Sequence, residues 1–125
     1  MAAQTRNFFR CNVCGNLVGL IQDGGGKLVC CGTEMEHLIA NTVDASHEKH
    51  VPVVQKNGNE LTVTVGSALH PMIPEHHIVW IAVVGGDKTQ RISLDPTGHP
   101  GATFMTEGSE VTVYAYCNLH GLWMG

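Results

Sequence analysis

Val111-Thr112-Val113-Tyr114-Ala115-Tyr116-Cys117-Asn118-Leu119-His120 is the stretch on which the fold of this chain turns. Val111, Val113 and Ala115 alternate with Thr112, Tyr114 and Tyr116, the period of a strand with one buried face. Cys117 continues in phase, so its sulfur is expected on the buried side at the strand end, with His120 in the loop beyond. Working outward, Leu61, Val63 and Val65 alternate with Thr62 and Thr64, and Ile78 to Val84 is continuously apolar, as a central strand covered on both faces would be. Shorter strands are expected over 51–56, 90–94 and 102–106. Turns fall at Asn57-Gly58-Asn59, Gly85-Gly86-Asp87, Asp95-Pro96-Thr97-Gly98 and Glu107-Gly108-Ser109. Six or seven short strands, with no helix of three turns, predict a mainly β protein whose larger part is an antiparallel β-sandwich of about 85–90 residues.

The chain has 125 residues, of which 14% are charged, yet eight are His and five are Cys. That imbalance points to metal ligation. A formal charge of −4 offers no basic surface for a phosphate backbone, so no nucleic-acid partner is expected. No stretch reaches the roughly 20 apolar residues of a membrane span, and Met1-Ala2-Ala3-Gln4-Thr5-Arg6 leads into no signal-peptide core. A cytoplasmic protein without a membrane partner is expected. Five is an odd number of cysteines, and disulfides rarely persist in a reducing compartment, so thiolates on metal are the better expectation.

Four cysteines lie together as Cys11-x2-Cys14-x15-Cys30-Cys31, and Cys117 stands alone. Residues 1–36 form a separate zone, too short to fold without a staple, followed by the second domain over 37–125 with a linker at about 37–47. The four sulfurs suit a tetrahedral iron or zinc site, and the ligands alone do not choose between them. Adjacent Cys30 and Cys31 must bend the backbone to aim two sulfurs at one ion. In the second domain His50, His70 and His76 fall at strand edges or loops, where a rigid sandwich can present ligands together with Cys117 and His120. His37, His47, His77 and His99 lack matching contexts. Because neighbouring strand residues point to opposite faces, only one of His76 and His77 can reach a given ion.

Two families, and one structural alternative, compete for this pattern. Cys117-x2-His120-x3-Met124 resembles the copper loop of cupredoxins, which are electron carriers. A zinc-stapled sandwich used only for binding is a further alternative. A longer resemblance runs through nearly the whole chain: the four cysteines, then Glu48-Lys49-His50-Val51-Pro52, His70-Pro71-Met72, His76, and Cys117-Asn118-Leu119-His120-Gly121 are similar in order and context to the two-iron desulfoferrodoxins, a class of superoxide reductases. The resemblance implies a desulforedoxin-like module with one iron on Cys11, Cys14, Cys30 and Cys31. It also implies an immunoglobulin-like domain with a second iron on His50, His70, His76 and His120 and an axial Cys117 thiolate.

By the same resemblance, Glu48 is the glutamate that can take the sixth position of the ferric resting site, and Lys49 helps attract superoxide and orders water. Family members reduce superoxide by one electron to hydrogen peroxide, draw electrons from rubredoxin-type donors and are typically homodimers. Ferrous iron with one thiolate and neutral imidazoles is locally positive, and Lys49 adds to that, so an anion is drawn in although the chain as a whole is acidic. The backbone N–H groups of Asn118 and Leu119 are expected to hydrogen-bond the Cys117 sulfur.

Overall fold

The computed structural model describes residues 8–85, 88–107 and 110–125. The expected turns at Gly86-Asp87 and Gly108-Ser109, and the opening segment from Met1 to Arg6, lie outside the described residues. The chain divides into two compact units, one ending at Ile39 and the other spanning Ala40–Gly125.

The first unit is built of very short strands. β1 (Phe8–Arg10) is flanked antiparallel by β2 (Leu17–Gly19) and by the later β5 (Glu36–His37), while β3 (Val29–Cys30) and β4 (Thr33–Glu34) form their own hairpin. Its core is small: Phe9, Cys11 and Met35, with Leu20, Leu28 and Cys30 packed against them. Thr33–Glu34 and Glu36–His37 are extended because β3 and β1 pair with them. Strands of two residues are too short to show a period.

In the second unit a one-turn helix, α1 (His47–His50), precedes seven strands. Val51, the residue before Pro52, is extended with φ −71° and ψ 123°, which stops the helix after one turn. The strands are β6 (Pro52–Asn57), β7 (Glu60–Val65), β8 (Ile78–Gly85), β9 (Lys88–Ser93), β10 (Gly101–Met105), β11 (Thr112–Cys117) and β12 (Gly121–Met124). They form two antiparallel sheets, β10-β7-β6 and β12-β11-β8-β9. Between them lies one core: Leu61, Val63, Val65 and Phe104 from the first sheet meet Ile78, Ile81, Val83, Val113, Ala115 and Cys117 from the second. This is an immunoglobulin-like sandwich.

The continuous apolar run of β8 has the expected cause, since its other face, with Trp80 and Ala82, is buried too, and Trp80 stacks on Tyr116 of β11 at 5.6 Å. The register between β8 and β11 shifts at one point: Tyr116 faces Trp80, but Cys117 faces Ile78. Val79 is therefore an extra residue in β8. This bulge keeps both Ile78 and Cys117 in the core at the end of the sheet.

Candidate metal centres

In the first unit, the tight turn after Cys11 and the β3-β4 hairpin bring four thiol sulfurs within 4.8 Å of one another. Cys14 and Cys30 sulfurs are 3.6 Å apart, and those of Cys30 and Cys31 are 3.9 Å apart. A tetrahedron with metal–sulfur bonds of about 2.3 Å has edges of about 3.8 Å, so the four positions fit one ion. The expected bend is present: Cys31 has φ +53°, a left-handed conformation uncommon outside glycine and asparagine. The Cys14 and Val13 N–H groups pull the Cys11 thiol down to about 6, whereas the sulfurs of Cys14, Cys11 and Cys30 push Cys31 up to about 12. A metal ion would replace the protons on such a crowded set of thiols. The Asn16 side-chain amide also approaches the Cys30 sulfur at 3.8 Å.

The second cluster gathers at one end of the sandwich. His50 comes from α1, His70 from the turn after β7, His76 from the loop before β8, and Cys117 and His120 from the end of β11 and its loop. Ligand atoms of His50, His76, Cys117 and His120 lie within 4.8 Å of one another. His70 joins through its ring, 4.7 Å from that of His50 and 4.5 Å from that of His76. The circuit closes through His76 and His120 at 5.1 Å and His120 and His50 at 4.9 Å, and every neighbouring pair is nearly perpendicular, at 77° to 89°. Across the ring, His50 and His76 are 6.2 Å apart. Four imidazoles bound in a square at about 2.1 Å would place ring centres roughly 4.5 Å apart along the sides and about 6.4 Å across. The observed array matches that pattern.

Orientation of the rings follows from local hydrogen bonds. His50 Nδ1 donates to the Ser46 carbonyl at 2.6 Å and His70 Nδ1 to the Pro71 carbonyl at 2.7 Å, which leaves each Nε2 with its lone pair turned inward. The Nε2 atoms of His70 and His76 are buried without a hydrogen-bond partner. Most buried polar atoms are hydrogen-bonded, so two unsatisfied ring nitrogens within one cluster of candidate ligands call for an explanation, and a metal ion would supply it. Burial lowers the basicity of His50, His70 and His76, with His70 down to about 4, so these rings are neutral at pH 7, the form that binds metal. Burial pushes the Cys117 thiol up, opposed by the N–H groups of His120 and Leu119. His120 N lies 3.4 Å from the sulfur. The expected pair of donors is thus half corrected: Leu119 serves, but Asn118 N–H donates to the His77 carbonyl at 3.2 Å, because the chain turns away before the loop closes over the sulfur.

Glu48 and Lys49 are exposed on α1, and the Lys49 charge is close enough to help keep His76 neutral. His77 turns aside, its Nδ1 facing the Ile73 carbonyl at 3.1 Å. His37 stacks on Phe9 in the other unit. His47, whose sequence context matches no ligand motif, lies edge-on to Trp123 at 5.2 Å. Trp123 carries no motif that marks it in the sequence as part of the site. Fully buried in β12, it stacks on His50 at 4.8 Å and donates its indole N–H to the His120 carbonyl at 3.1 Å. Gly66 is the second such residue. With φ +89°, it lets the turn pass so near α1 that a Cβ there would stand 2.9 Å from both the Glu48 carbonyl and Lys49 Cα. Met124 is next to Trp123 on a strand, so it points to the opposite face from the His50 ring. That separates the site from a cupredoxin loop, as does its set of four imidazoles.

Two family models match the chain in tandem: the desulfoferrodoxin N-terminal domain over residues 3–38 and the desulfoferrodoxin domain over 42–125. The chain belongs to the desulfoferrodoxin family. It is therefore a two-iron protein, with one ion held by four cysteines and one by four histidines and a cysteine. A desulfoferrodoxin homologue of Methanothermobacter thermautotrophicus is 49% identical over 121 residues, covering 96% of this chain and 98% of that protein. Among solved structures, the superoxide reductase of Treponema pallidum matches with a TM-score of 0.78 and 36% identity, covering 98% of this chain and 99% of its own. A one-iron superoxide reductase of Giardia intestinalis matches with a TM-score of 0.56 and 33% identity, covering 62% of this chain and 95% of its own.

Proposed function

We infer that this desulfoferrodoxin is a superoxide reductase. It joins one superoxide, one electron and two protons into one hydrogen peroxide, and draws each electron from an external donor. The observation that carries the reading is the closed square of four imidazoles around two orphaned Nε2 atoms, beside a buried cysteine sulfur, in a chain of which 98% matches the Treponema pallidum superoxide reductase.

Within this reading, His50, His70, His76, His120 and Cys117 hold the reactive iron, and Cys11, Cys14, Cys30 and Cys31 hold the other. Bound there, the reactive iron supplies the electron and a positive centre for the anion, with the Cys117 thiolate raising its readiness to give the electron up. Lys49 draws superoxide toward α1 by its charge and orders the water through which protons arrive. Glu48 offers a carboxylate that covers the oxidised site. The N–H groups of His120 and Leu119 temper the charge on the Cys117 sulfur. The unit that ends at Ile39 is the desulforedoxin-like module and Ala40–Gly125 the catalytic domain, a boundary three residues beyond the expected 36/37 because β5 pairs back onto β1, and the expected linker at about 37–47 shortens to the stretch before α1. The donor is of the rubredoxin type, the working state is a homodimer and the location is cytoplasmic; no helix among the described residues is long and apolar enough to cross a membrane.

Metal analysis of protein purified without added metal, with its visible spectrum in both oxidation states, tests this assignment. Two irons per chain with separable iron–thiolate bands are expected. A single copper with an intense blue band, or colourless zinc protein, would contradict it.

A further inference from the structure

Asn118 lies between Cys117 and Leu119, yet none of the hydrogen bonds found for it goes to the sulfur. Its Oδ1 accepts from the His77 backbone N–H at 2.8 Å, its Nδ2 donates to the Glu75 carbonyl at 3.0 Å, and its own N–H donates to the His77 carbonyl at 3.2 Å. All three bonds end on the residues on either side of His76. The loop that carries His76 is otherwise closed on itself, by reciprocal bonds between Ile73 and His76 at 3.0 Å and 3.1 Å. His50 and His70 are aimed through their own rings by the Ser46 and Pro71 carbonyls. For His76, the backbone on both sides is gripped instead.

We propose that Asn118 is a positioning residue that sets the separation and angle between His76 and the Cys117 sulfur by clamping Glu75 and His77 to the end of β11. A carboxamide suits this place because it accepts from one backbone N–H and donates to one carbonyl at the same reach. An aspartate would keep the acceptor and lose the donor, and alanine would lose both. The backbone bond from Asn118 to His77 survives in every variant, so the loop remains attached while its hold on His76 slackens. The proposal rests on the reading of His76 and Cys117 as ligands of one iron.

The test compares iron-loaded wild type, N118A and N118D in the full chain, with N57A at the distant tip of the β6-β7 hairpin as control. Two quantities are read without superoxide: the rate at which a strong chelator removes the histidine-bound iron, and the position of its visible sulfur–iron absorption band. Removal of a group that orients a ligand typically costs about 10-fold to 100-fold in metal retention. N118A is expected to release this iron faster by about that factor with a displaced band, N118D to fall between, and N57A to match wild type, while the tetrathiolate absorption stays unmoved. Unchanged release and band in N118A would overturn the proposal. So would faster release with an unmoved band, which marks a tether that leaves the ligand geometry alone. If N118A does not fold, N118D answers the same two questions. A wild-type chain that holds iron but fails to reduce superoxide would refute the function and leave these comparisons readable.

Discussion

At the residue scale, the chemistry rests on single atoms whose surroundings are already shaped for it. Cys117 is fully buried, with the N–H groups of Leu119 and His120 directed at its sulfur. Serine in its place is a harder and weaker donor that keeps the shape but not the polarisable charge. C117S is expected to lose the rapid reaction with pulse-generated superoxide, and a near wild-type rate would contradict the assignment. Lys49 tests a different physical term, because it acts at a distance through the solvent. K49I should slow the encounter by roughly tenfold at low salt and flatten its dependence on ionic strength. If rate and salt slope both stayed as they are, Lys49 would be an ordinary surface charge. The residues proposed as ligands were legible as candidates in the sequence because ordered motifs carried them, and the fold brings them together. Trp123 was not, since its stacking on His50 and its bond to the His120 carbonyl exist only once β12 has paired with β11.

At the scale of elements, the site is assembled from a one-turn helix, a glycine turn, a clamped loop and a strand end, all fixed by the sandwich. Gly66 joins two of these. A Cβ there would also lie 2.2 Å from the Ala68 carbonyl, and φ +89° is unfavourable for any other residue. G66A is expected to destabilise the iron-free chain by on the order of 1–3 kcal/mol, read by denaturant unfolding, and to weaken binding of the histidine-bound iron by displacing α1. Unaltered stability and iron content would show that the turn yields without cost. Strands β6, β9 and β10 were readable because turn residues separate them, and β7, β8 and β11 because runs of six or more residues carry a period of two or a continuous apolar core signal. β12, with Gly121-Leu122-Trp123-Met124, shows neither. The strands of two residues and the four-residue helix are too short to express any period, and the close approach at Gly66 joins segments that only the folded chain brings together.

At the scale of the whole molecule, two units divide two kinds of iron chemistry. All five residues proposed for the reactive centre lie within Ala40–Gly125, and all four cysteines of the other site lie before Ile39. C14S is therefore expected to lose the tetrathiolate absorption while the first reaction with superoxide keeps its wild-type rate. A parallel fall in that rate would tie the two centres together in catalysis. The order of cysteines and histidines made this division legible, whereas the division itself, at Ile39 and Ala40, depends on β5 pairing back onto β1. The chain reduces superoxide and does not dismutate it. The most direct test is the stoichiometry after a superoxide pulse onto the fully reduced, iron-loaded protein in anaerobic buffer. One hydrogen peroxide is expected for each superoxide consumed, with one histidine-bound iron oxidised and no oxygen released. Half as much peroxide, accompanied by oxygen and no net oxidation of the iron, would contradict it.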